Sequence, residues 1–258
     1  MQTNHKGSAR ISKIARAAAI GAGLLGIASW YRYVPPSPST DEGQGTPFLL
    51  DRYLPHAEFA GKVSVVVHAP ASAIYAALQT VTLDDMPIAH WIGTVRYLPS
   101  KLAEKAEEKA EENAPVKAEP FIQTIQREGG NIILAEDAPY EVVFGAIAKF
   151  HNLLDQQVVP LREASDFAAF DQPDYQKLVM SFRLTPLDPR NDKAGYRLTL
   201  THRTHALSNE ARWKFALYWL GIKPGGNLVS WLMLRAIKRL AENATSPIHE
   251  SVESGSQI

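Results

Sequence analysis

The chain has 258 residues, and its 27 Lys and Arg residues balance 27 Asp and Glu residues, so the formal net charge is zero. Nucleic-acid-binding domains normally carry a basic excess, and the balance therefore argues against that class of protein. The sequence contains no cysteine, which excludes disulfides, thiol catalysis, thiolate zinc sites and iron–sulfur clusters. An apolar content of 45% is ordinary for a globular protein of this length.

The charge is distributed unevenly along the chain. Residues 1–34 contain five bases and no acid, which leaves 22 bases against 27 acids in the remainder. Residues 17–31 carry no charge and are bordered by Trp30, Tyr31 and Tyr33, aromatic residues that are favoured at membrane interfaces. We therefore predict that residues 1–34 form a basic n-region followed by a transmembrane or signal-anchor helix.

Three interpretations of this segment are open: an uncleaved anchor, a signal peptide cleaved after Ala28, or a buried or amphipathic helix or organellar presequence. The aromatic flank favours the anchor, although 15 residues of helix cover only about 22 Å and spanning requires Arg16 and Arg32 to snorkel. With an anchor the rest of the chain lies outside the inner membrane, and after cleavage it is secreted or periplasmic.

The same segment contains a G-x-G-x-x-G motif at residues 21–26, with Asp41 20 residues after Gly21. A dinucleotide-binding site requires this motif between a strand and a helix, but here a basic helical pattern precedes it and Pro35-Pro36 follows. We predict no nucleotide cofactor, nor any other.

We predict a linker rich in Pro, Ser and Gly at residues 35–55, a folded domain at residues 56–243, and a disordered tail at residues 244–258. Apolar alternation predicts strands at residues 62–68, 121–126, 131–136, 141–150, 175–184 and 196–205. Helices are predicted at residues 72–81, from about residue 84 to Gly93, from the N-cap Ser208 to Leu220, and at residues 229–240. Gly221 and Pro224 are expected to separate the last two helices. Residues 101–119, an Ala/Glu/Lys run with four bases and six acids, are predicted to be a solvated or flexible insertion, with a partner-docking element as the alternative.

This order of elements resembles the SRPBCC superfamily, which has the START-like helix-grip fold. The resemblance covers roughly residues 60–242 and rests on the opening at Ala69-Pro70 with Ile74, Tyr75 and Leu78, and on the closing helix with Trp231, Ile237 and Leu240. Residues 141–150 and 167–171 are also similar to bacterial members labelled polyketide-cyclase-like. The resemblance implies an α+β fold in which a curved antiparallel sheet wraps around a long C-terminal helix. It also implies that residues 56–243 are a START-like domain with a hydrophobic cavity that binds lipids or other apolar molecules.

Eight residues are candidates for lining that cavity. In or beside the apolar strands, Glu141, His151 and Arg203 are polar groups that could orient a ligand, could face solvent, or could pair with other charged groups in a structural salt bridge. The aromatic candidates are Trp91, Phe144, Phe182, Trp213 and Trp231, as cavity wall or as core.

A metal site is not predicted, because His202 and His205 stand three apart on a strand and therefore face opposite sides. The predicted function is membrane-tethered binding or transfer of a hydrophobic small molecule or lipid, with no nucleic-acid partner. The alternative is a cyclase- or dehydratase-like enzyme, with Glu141 or His151 as general acid/base and Arg203 stabilising an enolate. A third possibility is an interaction module that uses the charged insertion.

Overall fold

The computed structural model describes residues 37–38, 48–86, 119–152, 154–188, 190–191 and 195–245. Outside the described residues lie the predicted membrane segment, residues 87–93 of the helix expected to carry Trp91, residues 101–118 of the insertion, and residues 246–258. The predictions about them stay predictions. Within the described part of the chain, no helix is both long and apolar enough to cross a membrane.

The described chain is an α+β structure. Its strands are β1 (Ser37–Pro38), β2 (His56–Ala57), β3 (Phe59–Val67), β4 (Ile132–Asp137), β5 (Glu141–Ala148), β6 (Gln176–Pro186) and β7 (Tyr196–Ala206). Its α-helices are α1 (Ala71–Thr80), α2 (Phe121–Gly129), α3 (Ala164–Ala169) and α4 (Asn209–Thr245), with 3-10 turns at Leu49–Arg52 and Leu83–Asp85.

Five strands form one antiparallel sheet in the order β3-β7-β6-β5-β4, and β1 pairs separately with β2. This confirms the α+β class, the antiparallel sheet and the C-terminal helix. The register places Gly61 opposite His202, His202 opposite Met180, and Met180 opposite Phe144. Because side chains alternate along a strand, these four residues share one side of the sheet.

Both sides of the sheet are covered. On the inner face, α1, α2 and α4 pack over a cluster that includes Phe144, Phe182 and Leu198. On the outer face, the segment 48–57 and α3 pack over a second cluster that includes Val143 and Val179. Since neighbouring residues of β5 are buried on opposite faces, all eight residues of that strand are buried.

The strand predicted at residues 121–126 is wrong, because this stretch forms α2. Phe121, Ile122 and Ile125 recur at helical rather than alternating spacing, and Ile122 is buried against α1 and the sheet. Gly130 ends the helix in the left-handed conformation at φ 59°. The side chain and the backbone N–H of Asn131 both donate to the carbonyl of Ile125.

The predicted break between two C-terminal helices is also wrong, since α4 runs without interruption through Gly221 and Pro224. Its N-cap is confirmed: the Ser208 hydroxyl accepts the N–H of Ala211 at 3.1 Å. Each half of α4 is held by its own cluster, one around Phe59 and Phe215 and the other on the inner face. Packing at both ends offsets the hydrogen bond that a helix-interior proline removes.

Candidate functional site

The centre of the inner face carries a group of sheet residues that the helices only partly cover. We call this group the inner strip; each member is half-buried, whereas Phe59, Phe182 and Leu200 farther along the same strands are buried. Its members are Gly61, Val63, Leu178, Met180 and His202. Four of the five are apolar or glycine, so the strip is a largely hydrophobic surface.

Above the strip, the middle of α4 stands away from the sheet. No residue of described exposure between Trp219 and Ser230 is buried, although both of those residues are. A Cβ atom added at Gly221, Gly225 or Gly226 would have no atom within 4 Å apart from the neighbouring backbone of α4 itself. The helix is therefore packed most closely at its Phe215 end and its Met233 end, and its central residues are less buried.

His202 is the polar member of the strip. Its imidazole lies directly on Gly61, where a Cβ atom would overlap the ring, and it meets the Trp219 ring edge-on at 5.5 Å. Burial, together with the charge of Lys223 on α4, lowers the pKa of His202 to about 4. His202 is therefore neutral at pH 7 and can donate or accept one hydrogen bond within the strip.

His151 lies at one end of the inner face, where α4 begins. Its Nδ1 is 3.1 Å from Nε2 of the fully buried Gln176, and its Nε2 is 3.8 Å from Asp174. Asp174, at a positive φ of 74°, also pairs with Lys149 and Lys214. Burial lowers the pKa of His151 against the opposing effects of Gln176 and Asp174. The group is a closed network that ties the β5–β6 connection to α4.

Of the aromatic candidates, Phe144 and Phe182 lie on the inner face, with ring centroids 6.2 Å apart in an edge-to-face pair. Both are buried by neighbouring side chains and belong to the packed core beside the strip. Trp213 is half-buried on α4. Trp231 is 38% exposed on α4, where the guanidinium of Arg235 covers its ring. Trp91 lies outside the described residues.

Glu141 does not line the space between the sheet and α4. It lies on the outer face, where its carboxylate accepts the Ser181 hydroxyl at 2.7 Å and the Leu49 N–H at 3.2 Å. Arg183 stands 3.7 Å from the same carboxylate and stacks on Phe48. Glu141 therefore fastens the segment 48–57 to the sheet.

Arg203 is likewise on the outer face, which corrects its expected position. Its side chain is 2% exposed and donates to Asp51 at 2.6 Å and to the carbonyl of Leu54 at 3.1 Å. The expected convergence of Glu141 and Arg203 inside a pocket under α4 is thus wrong. Because side chains alternate along each strand, Glu141 and Arg203 lie on the same face of the sheet. Both faces are apolar, however, so the sequence does not show which face α4 covers.

The two histidines of β7 lie on opposite faces, as their spacing predicts. His202 contacts Trp219 on the inner face, whereas His205 lies 3.1 Å from the buried carboxylate of Glu58. Arg212 at the start of α4 stands 2.9 Å from the same carboxylate. Within the described ranges, no three His, Asp or Glu side chains are grouped so that they could hold a metal ion.

The cavities described in the structure lie away from the inner strip. A surface depression of about 520 Å³ lies at the end of the sheet where β5 and β7 begin, and it is lined by Ala71, Ser72, Pro139, Tyr140, Pro186, Asp188 and Tyr196. Between α1 and the sheet, a cavity of about 10 Å³ remains. Such a cavity is no larger than one water molecule requires, so the inner face beneath α1 is filled by side chains.

Sequence reasoning missed most of the strip. It weighed His202 only as a metal ligand and treated Leu178 and Met180 only as members of an alternating strand. The signal that could have located the strip is the run Gly221 to Gly226 in a helix, since three glycines there leave nothing to pack on the strand residues opposite.

No family model matches the chain, and no curated protein matches it. Among solved structures, the chain is similar to a protein from Arthrobacter aurescens determined by solution NMR, with a TM-score of 0.30 and 13% identity. That match covers 77% of this chain and 93% of the other.

Proposed function

We propose that the chain binds a hydrophobic small molecule or lipid against the inner strip, beneath the middle of α4. Two observations carry this proposal: the apolar surface at Met180 and Leu178 is only half-buried, and no residue of described exposure between Trp219 and Ser230 on α4 is buried. Burial of apolar surface stabilises a complex by about 25 cal/mol per Å². A ligand that covers the strip would therefore gain the burial free energy that packing of α4 leaves unused. We also propose that the sheet and α4 form a helix-grip of the SRPBCC kind.

The polar groups near the strip favour an amphiphile with one polar end. His202 offers a neutral imidazole at the floor of the open space, and Lys223 is exposed on α4 close enough to affect its pKa. A ligand whose polar group accepts hydrogen bonds could meet both, while its apolar part covers Val63 and Met180.

Binding rather than catalysis is the function that the site supports. Glu141 and Arg203, which the enzymatic alternative needs beside the substrate, are engaged on the other face. His151 remains on the inner face, but Gln176 and Asp174 occupy its two nitrogens. An acid/base mechanism on the strip would therefore have to use His202 alone.

We further propose that residues 1–34 tether the domain to a membrane, with the domain on the extracytoplasmic side. The basic segment without acids, followed by 15 uncharged residues, supports this proposal. A reporter fused to the C-terminus tests the side: activity of an extracytoplasmic reporter is expected, and activity of a cytoplasmic reporter would contradict the placement.

Native mass spectrometry of the full chain after mild extraction tests the ligand proposal. We expect the wild type to carry an apolar adduct, and Leu178→Trp, which fills the strip, to carry less than half as much. The matched control is Thr185→Trp, an exposed outer-face position of the same strand, which should keep the adduct. A wild type that is always empty, or equal adducts in both variants, would overturn the proposal.

A further inference from the structure

Helix α4 has a second apolar stripe on the side that faces away from the sheet. At 3.6 residues per turn, its members fall within an arc of about 80° and extend over about 27 Å. They are Trp213, Leu217, Leu220, Leu228 and Trp231. The residues of α4 that are buried against the sheet, such as Phe215, Met233 and Ile237, lie on the opposite side of the helix. We call the first set the outward stripe.

The outward stripe is exposed enough to need an explanation. Leu228 is 43% exposed and Trp231 is 38% exposed, and the other three residues are half-buried. Trp213 and Leu220 belong to none of the hydrophobic clusters of the described chain. An apolar row along one side of a helix marks an interaction surface more often than scattered surface leucines do.

The charges around the stripe indicate what it contacts. Residues 211–241 contain six bases and no acid, although the chain after residue 34 is acidic as a whole. The six are Arg212, Lys214, Lys223, Arg235, Lys238 and Arg239. Four of them pair with acids of the domain, whereas Lys223 and Arg235 form no ion pair with a described residue. Arg235 lies directly against Trp231.

We propose that the outward stripe docks α4 flat onto the surface of a bilayer that contains anionic lipids. Tryptophan and leucine flanked by Arg and Lys are the composition of helices that lie in the membrane interface. Trp213 and Trp231, at the two ends of the stripe, would sit at headgroup depth, where amphipathic rings are favoured. Anionic headgroups would neutralise Arg235, which lies on the same side of α4 as the stripe.

Other occupants fit the charges less well. A second copy would bring two basic helices together, and like charges across an interface are unfavourable. The chain's own residues 1–34 are basic without an acid, so they repel α4 in the same way. Residues 101–119 are acidic but lack an apolar stripe, so they would leave Leu228 and Trp231 uncovered.

The position of β1 is compatible with this orientation. Its pairing with β2 brings Ser37 to the end of the sheet where α4 begins, only six residues after Tyr31. Six extended residues span about 20 Å, so an apolar segment ending at Tyr31 would hold that end of α4 close to a bilayer. The docking surface itself does not depend on the ligand site.

The absence of native cysteine allows a direct test on the full chain. A fluorophore sensitive to polarity is attached to Leu228→Cys and, as a control, to Leu154→Cys, a loop position that is 67% exposed. Each protein is reconstituted in vesicles of phosphatidylcholine with or without phosphatidylglycerol, and quenching by spin-labelled phospholipid is measured. With anionic lipid we expect at least roughly two-fold more quenching at position 228 than at 154, and Arg235→Glu should reduce the difference.

Equal quenching at positions 228 and 154 in anionic vesicles would overturn the proposal. Self-quenching of the fluorophore that rises with protein concentration would replace the bilayer with a second copy. A blue-shifted emission at position 228 without any vesicle would replace it with another segment of this chain. Because ligand binding is read separately as a mass adduct, failure of the docking proposal and failure of the ligand proposal are distinguishable.

Discussion

Removing the carboxylate of Asp51 should destabilise the domain more than removing the guanidinium of Arg203 with which it pairs. The Arg203 side chain is 2% exposed, whereas that of Asp51 is 36% exposed. In Asp51→Ala the guanidinium stays buried with only the Leu54 carbonyl as a partner. In Arg203→Met the remaining Asp51 can be hydrated, and an apolar chain of similar length keeps the packing.

The expected loss of stability in each variant follows from the exposure of the side chain that remains. Breaking a buried ion pair from one side costs about 3–5 kcal/mol, and partial hydration through the Asp51 side lowers this to about 3 kcal/mol. The Arg203→Met change leaves one carbonyl without its donor, which costs about 1–2 kcal/mol. For a domain of this size, the loss of 3 kcal/mol lowers Tm by roughly 6–12 °C.

Urea unfolding of the wild type, the two single variants and the double variant gives the free energy of unfolding of each. The double variant should be less destabilised than the sum of the two single variants, because each single change breaks the same ion pair. If Arg203→Met were the less stable single variant, or if Asp51→Ala unfolded like the wild type, the structural role assigned to Arg203 would be refuted.

Three further predictions concern the inner strip and the start of α4. Burial holds the pKa of His202 near 4, so as pH drops the unfolded chain binds a proton on this residue before the folded chain does. The free energy of unfolding should therefore fall as pH drops from about 6.5 to 4. In His202→Phe, the urea midpoint should depend less on pH over this range. Burial raises the pKa of Glu58, but the hydrogen bond and charge of His205 and the charge of Arg212 outweigh it, so the pKa is lowered. The stability that this ionised carboxylate contributes is therefore present above about pH 4.5 and is lost on acidification. In Glu58→Gln, urea unfolding should no longer show this loss of stability at low pH. A Gly61→Val side chain must displace the His202 ring, which should cost about 1–3 kcal/mol in urea unfolding and change Trp219 fluorescence, whereas an unchanged spectrum would show that the ring is not there.

The sequence was sufficient for the elements whose apolar spacing is unambiguous. The strands around Val65, Val143 and Leu198 and the helix around Ile74 lie where alternation or helical periodicity predicts them. In α2 the short apolar pattern at Ile122 and Ile125 fits a strand and a helix about equally. The residues that mark the stretch as a helix are its flanking Pro120 and Gly130.

The candidate site was harder to predict, because it depends on which side of the sheet each helix covers. Phe144 and Phe182 lie on the inner face, whereas Glu141 and Arg203 lie on the outer face. The segment 48–57 covers the outer face with its own apolar residues, so both faces of β5 and β6 are hydrophobic. Which polar residue meets α4 therefore follows from tertiary packing and not from local pattern.

The central claim is that an apolar ligand lies on the inner strip next to Trp219. It is tested most directly with the full chain in an amphipathic polymer, after Phe has replaced every tryptophan except Trp219. A dibrominated fatty acid is titrated while Trp219 fluorescence is recorded. We predict saturable quenching that the unbrominated fatty acid reverses; quenching that rises linearly without saturation and is not reversed would contradict the account.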